Sequence, residues 1–184
     1  MIVSLAQKST HWLLKILEGR KLEESKLERV QEIFRGVMAG YFDSKKSQIK
    51  PEFLKEILKR RPWIGRRLLG FMLEKCGMTK SEFRRVEALD IISEILKQLD
   101  ERQLESSIKD NLTQLTHLIV ELAKNTPKKQ ARRADTRKFC GRILSILSSL
   151  NLRKPFLKGM SPEAASACES QLGDVFLNFK NNGK

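Results

Sequence analysis

The residues able to do catalytic chemistry are few in this sequence and lie far apart. The two histidines, His11 and His117, fall in different predicted helices, and neither has a cysteine or carboxylate at the spacing of a metal ligand. Each is therefore interpreted as an ordinary surface histidine. The aspartates are scattered among predicted helix caps and solvent faces, so no carboxylates converge as two-metal catalysis requires. The sequence favours a protein that is not an enzyme.

Cysteines and glycines add no catalytic or phosphate-binding motif. The three cysteines, Cys76, Cys140 and Cys168, are isolated, which argues against a zinc site or a disulfide framework and favours a reducing compartment. Cys140 and Cys168 fall beside apolar faces and are predicted to be small core residues. The glycines within residues 36–40 and 65–70 interrupt helical patterns singly, without the spacing of a phosphate loop. They are interpreted as sites of close helix packing, and no metal, cofactor or small-molecule substrate is expected.

Positive charge is concentrated in two segments. The 184 residues carry a formal net charge of +14. Residues 45–67, the first basic zone, contain nine basic and two acidic residues, and residues 120–160, the second basic zone, contain eleven and two. The charges of the remaining residues nearly cancel. Charge localised in this way predicts a polyanionic partner, either the phosphates of nucleic acid or an acidic protein.

The first basic zone surrounds a tryptophan. Lys55 and Lys59 lie one turn apart on a predicted helix, and arginine pairs lie on both sides of Trp63. The helix dipole favours cations at the end of that helix but disfavours Arg66 and Arg67 in the first turns of the next, so this pair requires another partner. Trp63 is predicted to pack at the helix junction, with stacking on a base as the alternative.

The second basic zone is denser. Lys129, Arg133 and Arg137 share one face of a predicted helix, with Arg132 beside them. Phosphates or an acidic partner would relieve their mutual repulsion. Few aromatic residues are interleaved with them, so contact with the phosphate backbone is favoured over the reading of bases. The polyanion-binding residues predicted in both zones are Lys55, Lys59, Arg60, Arg61, Arg66, Arg67, Lys128, Lys129, Arg132, Arg133, Arg137 and Lys138.

Amphipathic helices position these residues. Apolar residues recur every three or four positions through most of the chain, as in the face that begins at Phe83, and no segment alternates as a strand does. Thr79 and Glu82 have the spacing of a capping box, and Ser161 is a predicted N-cap before Pro162. Eight helices are predicted, at roughly residues 2–18, 22–42, 51–60, 62–76, 80–99, 102–124, 130–151 and 162–180.

Short connections between these helices favour antiparallel neighbours. Paired helices give units of about 30 to 45 residues, the length of HEAT or armadillo repeats. We therefore predict an all-α fold, either an α-solenoid of that type or a closed helical bundle, with the solenoid favoured. Residues 1–180 are expected to form one domain, with fraying from Asn178 and a frayed tail over residues 181–184. The apolar residues of segment 2–17 are interrupted by lysines, which disfavours a signal peptide, and no membrane association is expected.

One stretch of the chain also resembles a known family. Tyr41 and Phe42 end a predicted helix, residues 45–47 (KKS) form a turn, and residues 61–65 (RPWIG) start the next helix. In these features residues 41–69 resemble the C-terminal region of the DNA polymerase V / Myb-binding protein 1A family, also called polymerase phi.

The resemblance implies a helical-repeat protein of the nucleus, most specifically the nucleolus. It implies roles in ribosomal RNA gene transcription, ribosome assembly and the regulation of transcription. Nucleic acid and acidic nucleolar proteins would then be the partners, and a module that binds only acidic proteins is the alternative. No polymerase carboxylates can be carried over from the family name, because this sequence shows none.

Overall fold

The computed structural model describes residues 24–43 and 50–181, and all regular structure in them is helical. The predicted helix at residues 2–18 lies outside these ranges. The helices of the described residues are α1 (Glu24–Asp43), α2 (Pro51–Arg60), α3 (Pro62–Met78), α4 (Glu82–Lys97), α5 (Glu101–Asp110), α6 (Leu112–Lys124), α7 (Gln130–Ser149), α8 (Arg153–Lys158), α9 (Pro162–Leu172) and α10 (Asp174–Asn181).

Eight of these ten helices pack in two rows. Helices α1, α3, α6 and α9 contact one another in that order, and helices α2, α4, α7 and α10 form a second row in the same way. Contacts of α3 with α2 and α4, and of α9 with α10, join the rows. The short helices α5 and α8 lie in the connections. The all-helical prediction and the pairing of neighbouring helices are therefore confirmed, and the order of contacts is that of stacked helix pairs.

The core lies where the rows meet. Leu69 and Leu73 of α3, Ile91 and Ile92 of α4 and Ile119 of α6 are completely buried. Each such side chain contributes roughly 1.5–3 kcal/mol when it is removed from water. Tyr41, which carries part of the family resemblance, is also completely buried, and its hydroxyl donates to Glu87 Oε2 of α4 at 2.9 Å. The resemblance thus includes a residue that packs α1 onto the rest of the fold.

Two long predicted helices are broken in the structure. At Asn111 the backbone leaves the helical region, with φ −114° and ψ 21°, and the side-chain nitrogen donates to Ser107 O at 2.8 Å. The predicted helix 102–124 is therefore α5 and α6. At Gly173 a φ of 58° ends α9, a left-handed conformation that glycine adopts at low cost, so the predicted helix 162–180 is α9 and α10. The apolar period continues across both breaks, which conceals them in the sequence.

Residues 153–158, predicted as a loop, form helix α8. Phe156 of this helix is completely buried, and its ring packs edge-on against that of Phe179 at a centroid distance of 5.5 Å. The expected fraying from Asn178 was wrong as far as Asn181, because α10 continues to that residue and Phe179 is buried.

The capping box predicted at Thr79 and Glu82 was also wrong. The N-cap of α4 is Ser81, whose hydroxyl accepts from Arg84 N at 3.3 Å. Thr79 instead ends α3, where its backbone N–H donates to Lys75 O. The two hydroxyls are close in sequence, and only Ser81 lies directly before the first turn. Ser161 caps α9 as predicted.

The glycine packing predicted within residues 65–70 is confirmed, because a Cβ added at Gly70 would overlap the side chain of Asn111 and one at Gly65 would crowd α4. A Cβ added at Gly65 of α3 would lie 3.0 Å from Ile95 Cγ1 of α4, closer than side chains normally approach. The two helices therefore pack closely at this residue. Gly36 and Gly40 of α1 have no described atom within 4 Å of such a Cβ, so the same interpretation is not confirmed for them.

A buried arginine ties α4 to the ends of two other helices. Arg85 is 8% exposed, and no carboxylate in the described residues bonds it. Its Nη2 donates to Thr79 O at 2.6 Å and its Nη1 to Asn125 O at 3.5 Å. These carbonyls belong to the C-caps of α3 and α6, where the negative ends of both helix dipoles favour a cation.

Replacement of Arg85 by methionine tests this role. R85M keeps an apolar stem of similar length but leaves the two carbonyls without their donor. We expect the free energy of unfolding in urea to fall by about 1–3 kcal/mol, the cost of stranding buried acceptors. The matched control is R102M on exposed α5, which should change stability by less than about 0.5 kcal/mol. Equal effects of the two substitutions would show that Arg85 does not tie the helices.

Candidate polyanion-binding surface

The first half of α7 presents the cations of the second basic zone. From residue 130 to residue 138 only Thr136 is buried. These cations lie in the first turns of the helix, at the positive end of its dipole, and the first turn contains no acidic residue to offset them. Lys129 and Lys138 are exposed and form no ion pair within the described part of the chain. The helix therefore concentrates positive charge where its own dipole does not favour it.

Backbone carbonyls hold two of these arginines in place. Arg133 Nε donates to Pro127 O at 3.3 Å, and Arg137 Nε donates to Gln171 O at 3.1 Å. The second bond also satisfies a carbonyl in the last turn of α9. Both residues are exposed, and in the described residues nothing bonds the terminal nitrogens of either guanidinium. Each arginine thus has its stem fixed and two donors available for an oxyanion.

Arg132 has a different role. Its Nη1 donates to Glu82 Oε1 of α4 at 2.9 Å, and the backbone N–H of Lys128 donates to Glu82 Oε2 at 3.4 Å. The hydrogen bond from Arg132 is the largest cause that lowers the pKa of Glu82, and the Lys128 contact acts in the same direction. Arg132 therefore joins α7 to α4, and its charge is already partly compensated. Lys128 is exposed beside this pair.

The first basic zone is divided between the two rows. Lys55 of α2 forms an ion pair with Asp90 of α4, and Arg60 forms one with Glu56 in its own helix. Lys59 is exposed beside them. Lys55 thus joins α2 to α4, much as Arg132 joins α7 to α4 from the other side.

The arginines on α3 belong to the other row. Arg66 and Arg67 are exposed, and Arg67 Nη1 donates to Gln31 Oε1 of α1 at 3.4 Å. Arg61 is half-buried between α2 and α3, and Trp63 is half-buried against the core, which confirms its predicted packing at the junction. The twelve predicted residues are therefore divided between α2, α3 and the start of α7. Lys59 and Arg66 are also exposed without a described partner, whereas Lys129, Arg133 and Arg137 form a row of exposed cations along one helix face.

Sequence reasoning missed a groove between α4 and α7. This cleft has a volume of about 490 Å³, and its lining includes Phe83, Phe139 and Arg142. The prediction that Phe83 continues the buried face of α4 was wrong, because the side chain is 49% exposed at the mouth of the groove. The signal in the sequence for this exposure was the position of Phe83 at the start of a helix, beside basic residues.

The cysteines and histidine show no reactive environment. Burial raises the pKa of the Cys76 thiol to about 12 and that of Cys168 to about 11, and it raises the pKa of Cys140 as well. The predicted core positions of Cys140 and Cys168 are confirmed, and His117 is exposed as expected. In residues 24–43 and 50–181 no group of three or more histidine, cysteine, aspartate or glutamate residues could hold a metal ion. Nor does any helix in these ranges have the length and apolar character needed to cross a membrane.

Residues 12–167 match the family described as Myb-binding protein 1A-like, TPR repeats. The chain belongs to this family. The match extends far beyond residues 41–69, which carried the resemblance in sequence. The family's repeats are described as TPR repeats, which agree with the stacked helix pairs but are not the HEAT or armadillo type that the sequence predicted. No curated protein and no solved structure matches the chain.

The ion pair of Glu82 gives this family member a stability that depends on pH. Because the folded-state pKa of Glu82 lies below its ordinary value, the pair stabilises the fold above that ordinary value. This stabilisation is lost as the pH falls through the folded-state pKa.

We expect E82Q to lower the free energy of unfolding in urea at neutral pH, and the difference from the native chain should shrink as the pH falls below about 5. In an R132Q background the effect of E82Q at neutral pH should be smaller. A difference that is constant with pH would contradict this account.

Proposed function

We propose that this chain is a non-enzymatic helical scaffold of the nucleus, specifically the nucleolus, that binds the phosphate backbone of ribosomal RNA or DNA. It would also bind partner proteins in ribosomal RNA gene transcription, ribosome biogenesis and transcription regulation. Membership of the Myb-binding protein 1A-like family supports the scaffold role, since stacked helical repeats present extended surfaces to other macromolecules. The resemblance of residues 41–69 supports a place in the C-terminal region of such a protein.

The observation that carries nucleic-acid binding is the state of Arg133 and Arg137. Each is fixed through Nε, so little side-chain freedom is lost when the terminal nitrogens bind an oxyanion. They lie on one face of α7 with Lys129, one turn apart, and this series of cations follows a helix rather than enclosing a pocket. A phosphate chain is the ligand that such an open row of cations contacts repeatedly.

The alternative is a module that binds only acidic proteins, such as acidic tails. The same cations would bind carboxylates, and both kinds of complex weaken with salt. Affinities for duplex DNA, structured RNA and an acidic peptide at physiological ionic strength separate the two. If both nucleic acids bind more weakly than about 10⁻⁴ M, the weak limit of non-specific binding, the nucleic-acid proposal is wrong and the alternative stands.

A pair of matched double variants locates the contact. R133Q/R137Q removes the two fixed guanidiniums, whereas the control R102Q/K109Q removes two exposed cations from α5. Affinity for RNA is measured over a series of salt concentrations. For the α7 variant we expect the slope of log K against log salt to become shallower by about 2, one for each lost phosphate contact. The control should retain the native slope. Equal changes in the two variants would mean that charge acts through the whole chain rather than through α7.

A further inference from the structure

The groove between α4 and α7 combines an apolar lining with free cations. Val86 and Leu89 of α4 and Phe139 of α7 supply the apolar part of its lining. Its volume of about 490 Å³ is within the range of sites that enclose a ligand or a few side chains of a partner. The groove lies in the second row of helices, and Arg132 at its border is held by Glu82.

An exposed aromatic ring marks one end of this groove. Phe83 is 49% exposed, whereas Leu89 and Phe139 of the same lining are buried. The guanidinium of Arg132 lies 5.5 Å from the ring centroid and that of Arg84 lies 5.8 Å from it. The ring is thus held between two arginines and retains apolar surface that a partner can cover. Met78, the last residue of α3, is also 69% exposed, but it lines a different cleft.

The charges of the groove leave a cationic excess. Among its acidic residues, Glu87 is paired with Arg84, and Asp90 is paired with Lys55. Both of these basic partners lie outside the lining. Among its cations, Arg142 donates to the backbone of Ser93 at 3.4 Å and bonds no carboxylate in the described part of the chain.

Lys138 likewise forms no ion pair with a described residue. Asp135 also lines the groove and forms no ion pair with a described residue. The lining therefore offers two available cations beside an apolar wall.

We propose that this groove binds a short acidic segment of a partner protein that carries an aromatic or large aliphatic side chain. The apolar side chain packs against Phe83 and Phe139, and the flanking carboxylates bind Lys138 and Arg142. A protein segment is favoured over nucleic acid here, because an apolar side chain can cover Phe83 and Phe139, whereas a sugar–phosphate chain would leave them exposed to water. Nucleic acid would bind Arg133 and Arg137 instead, so this site is distinct from the proposed phosphate-binding face.

Three labelled peptides of equal length test this proposal by fluorescence anisotropy. The first is rich in glutamate and contains one phenylalanine, the second replaces that phenylalanine by serine, and the third replaces the glutamates by glutamine. We expect the first peptide to bind most tightly. Loss of its phenylalanine should weaken binding by about tenfold or more, the effect of one buried apolar side chain. If the glutamine peptide binds as tightly as the first, or if none of the three binds, the proposal is wrong.

Variants of the chain distinguish the groove from the phosphate-binding face. F83S should weaken binding of the first peptide by about tenfold, and R142Q by about threefold, while RNA affinity changes by less than about twofold in both variants. R133Q/R137Q should show the reverse pattern. Thermal unfolding checks that each variant folds, and V86S in the lining replaces R142Q if loss of the Arg142 bond destabilises α7. Equal loss of peptide and RNA binding in the groove variants would show one shared polyanion surface and overturn the proposal. If the native chain binds the first peptide but not RNA, the proposed nucleic-acid function is wrong and the groove proposal is retained.

Discussion

The ion pair between Arg132 of α7 and Glu82 of α4 lies between the two proposed binding surfaces and joins the helices that carry them. It joins neighbouring helices of the same row at the point where α7 begins, and Phe83 packs against the same guanidinium. One side of α7 then forms the groove with α4, while Arg133 and Arg137 turn to the carbonyls of Pro127 and Gln171. The placement of the exposed cations therefore depends on contacts between helices as well as on the sequence of the second basic zone.

Arginine has two separate uses in this chain. Arg85 and Arg132 are structural, because one occupies the C-terminal ends of two helices and the other joins α7 to α4. Arg133 and Arg137 have fixed stems but retain free donors. A count of basic residues treats these four as equal. Fewer cations are therefore available to a polyanion than the net charge of +14 indicates. A helical scaffold of this kind achieves a localised site by fixing some cations and leaving others open.

The sequence predicted the elements better than their ends or their contacts. Apolar periodicity identified the helices from α1 onward, and the prolines at 51, 62 and 162 marked three helix starts correctly, because both signals are local. The breaks at Asn111 and Gly173 were missed, since the apolar face continues through them. Helix α8 was missed because its stability comes from the distant Phe179. The exposure of Phe83 and the carbonyl partners of Arg133 and Arg137 also depend on tertiary neighbours, which no single segment reveals.

Lysine acetylation footprinting with bound RNA tests the central claim, that the first half of α7 is the surface which a polyanion contacts. Mass spectrometry then reports the loss of reactivity at each lysine. The account predicts strong protection of Lys129 and Lys128 and little change at Lys109 on α5 or Lys180 on α10. Uniform protection of all these lysines, or protection confined to Lys59 of the first basic zone, would contradict it.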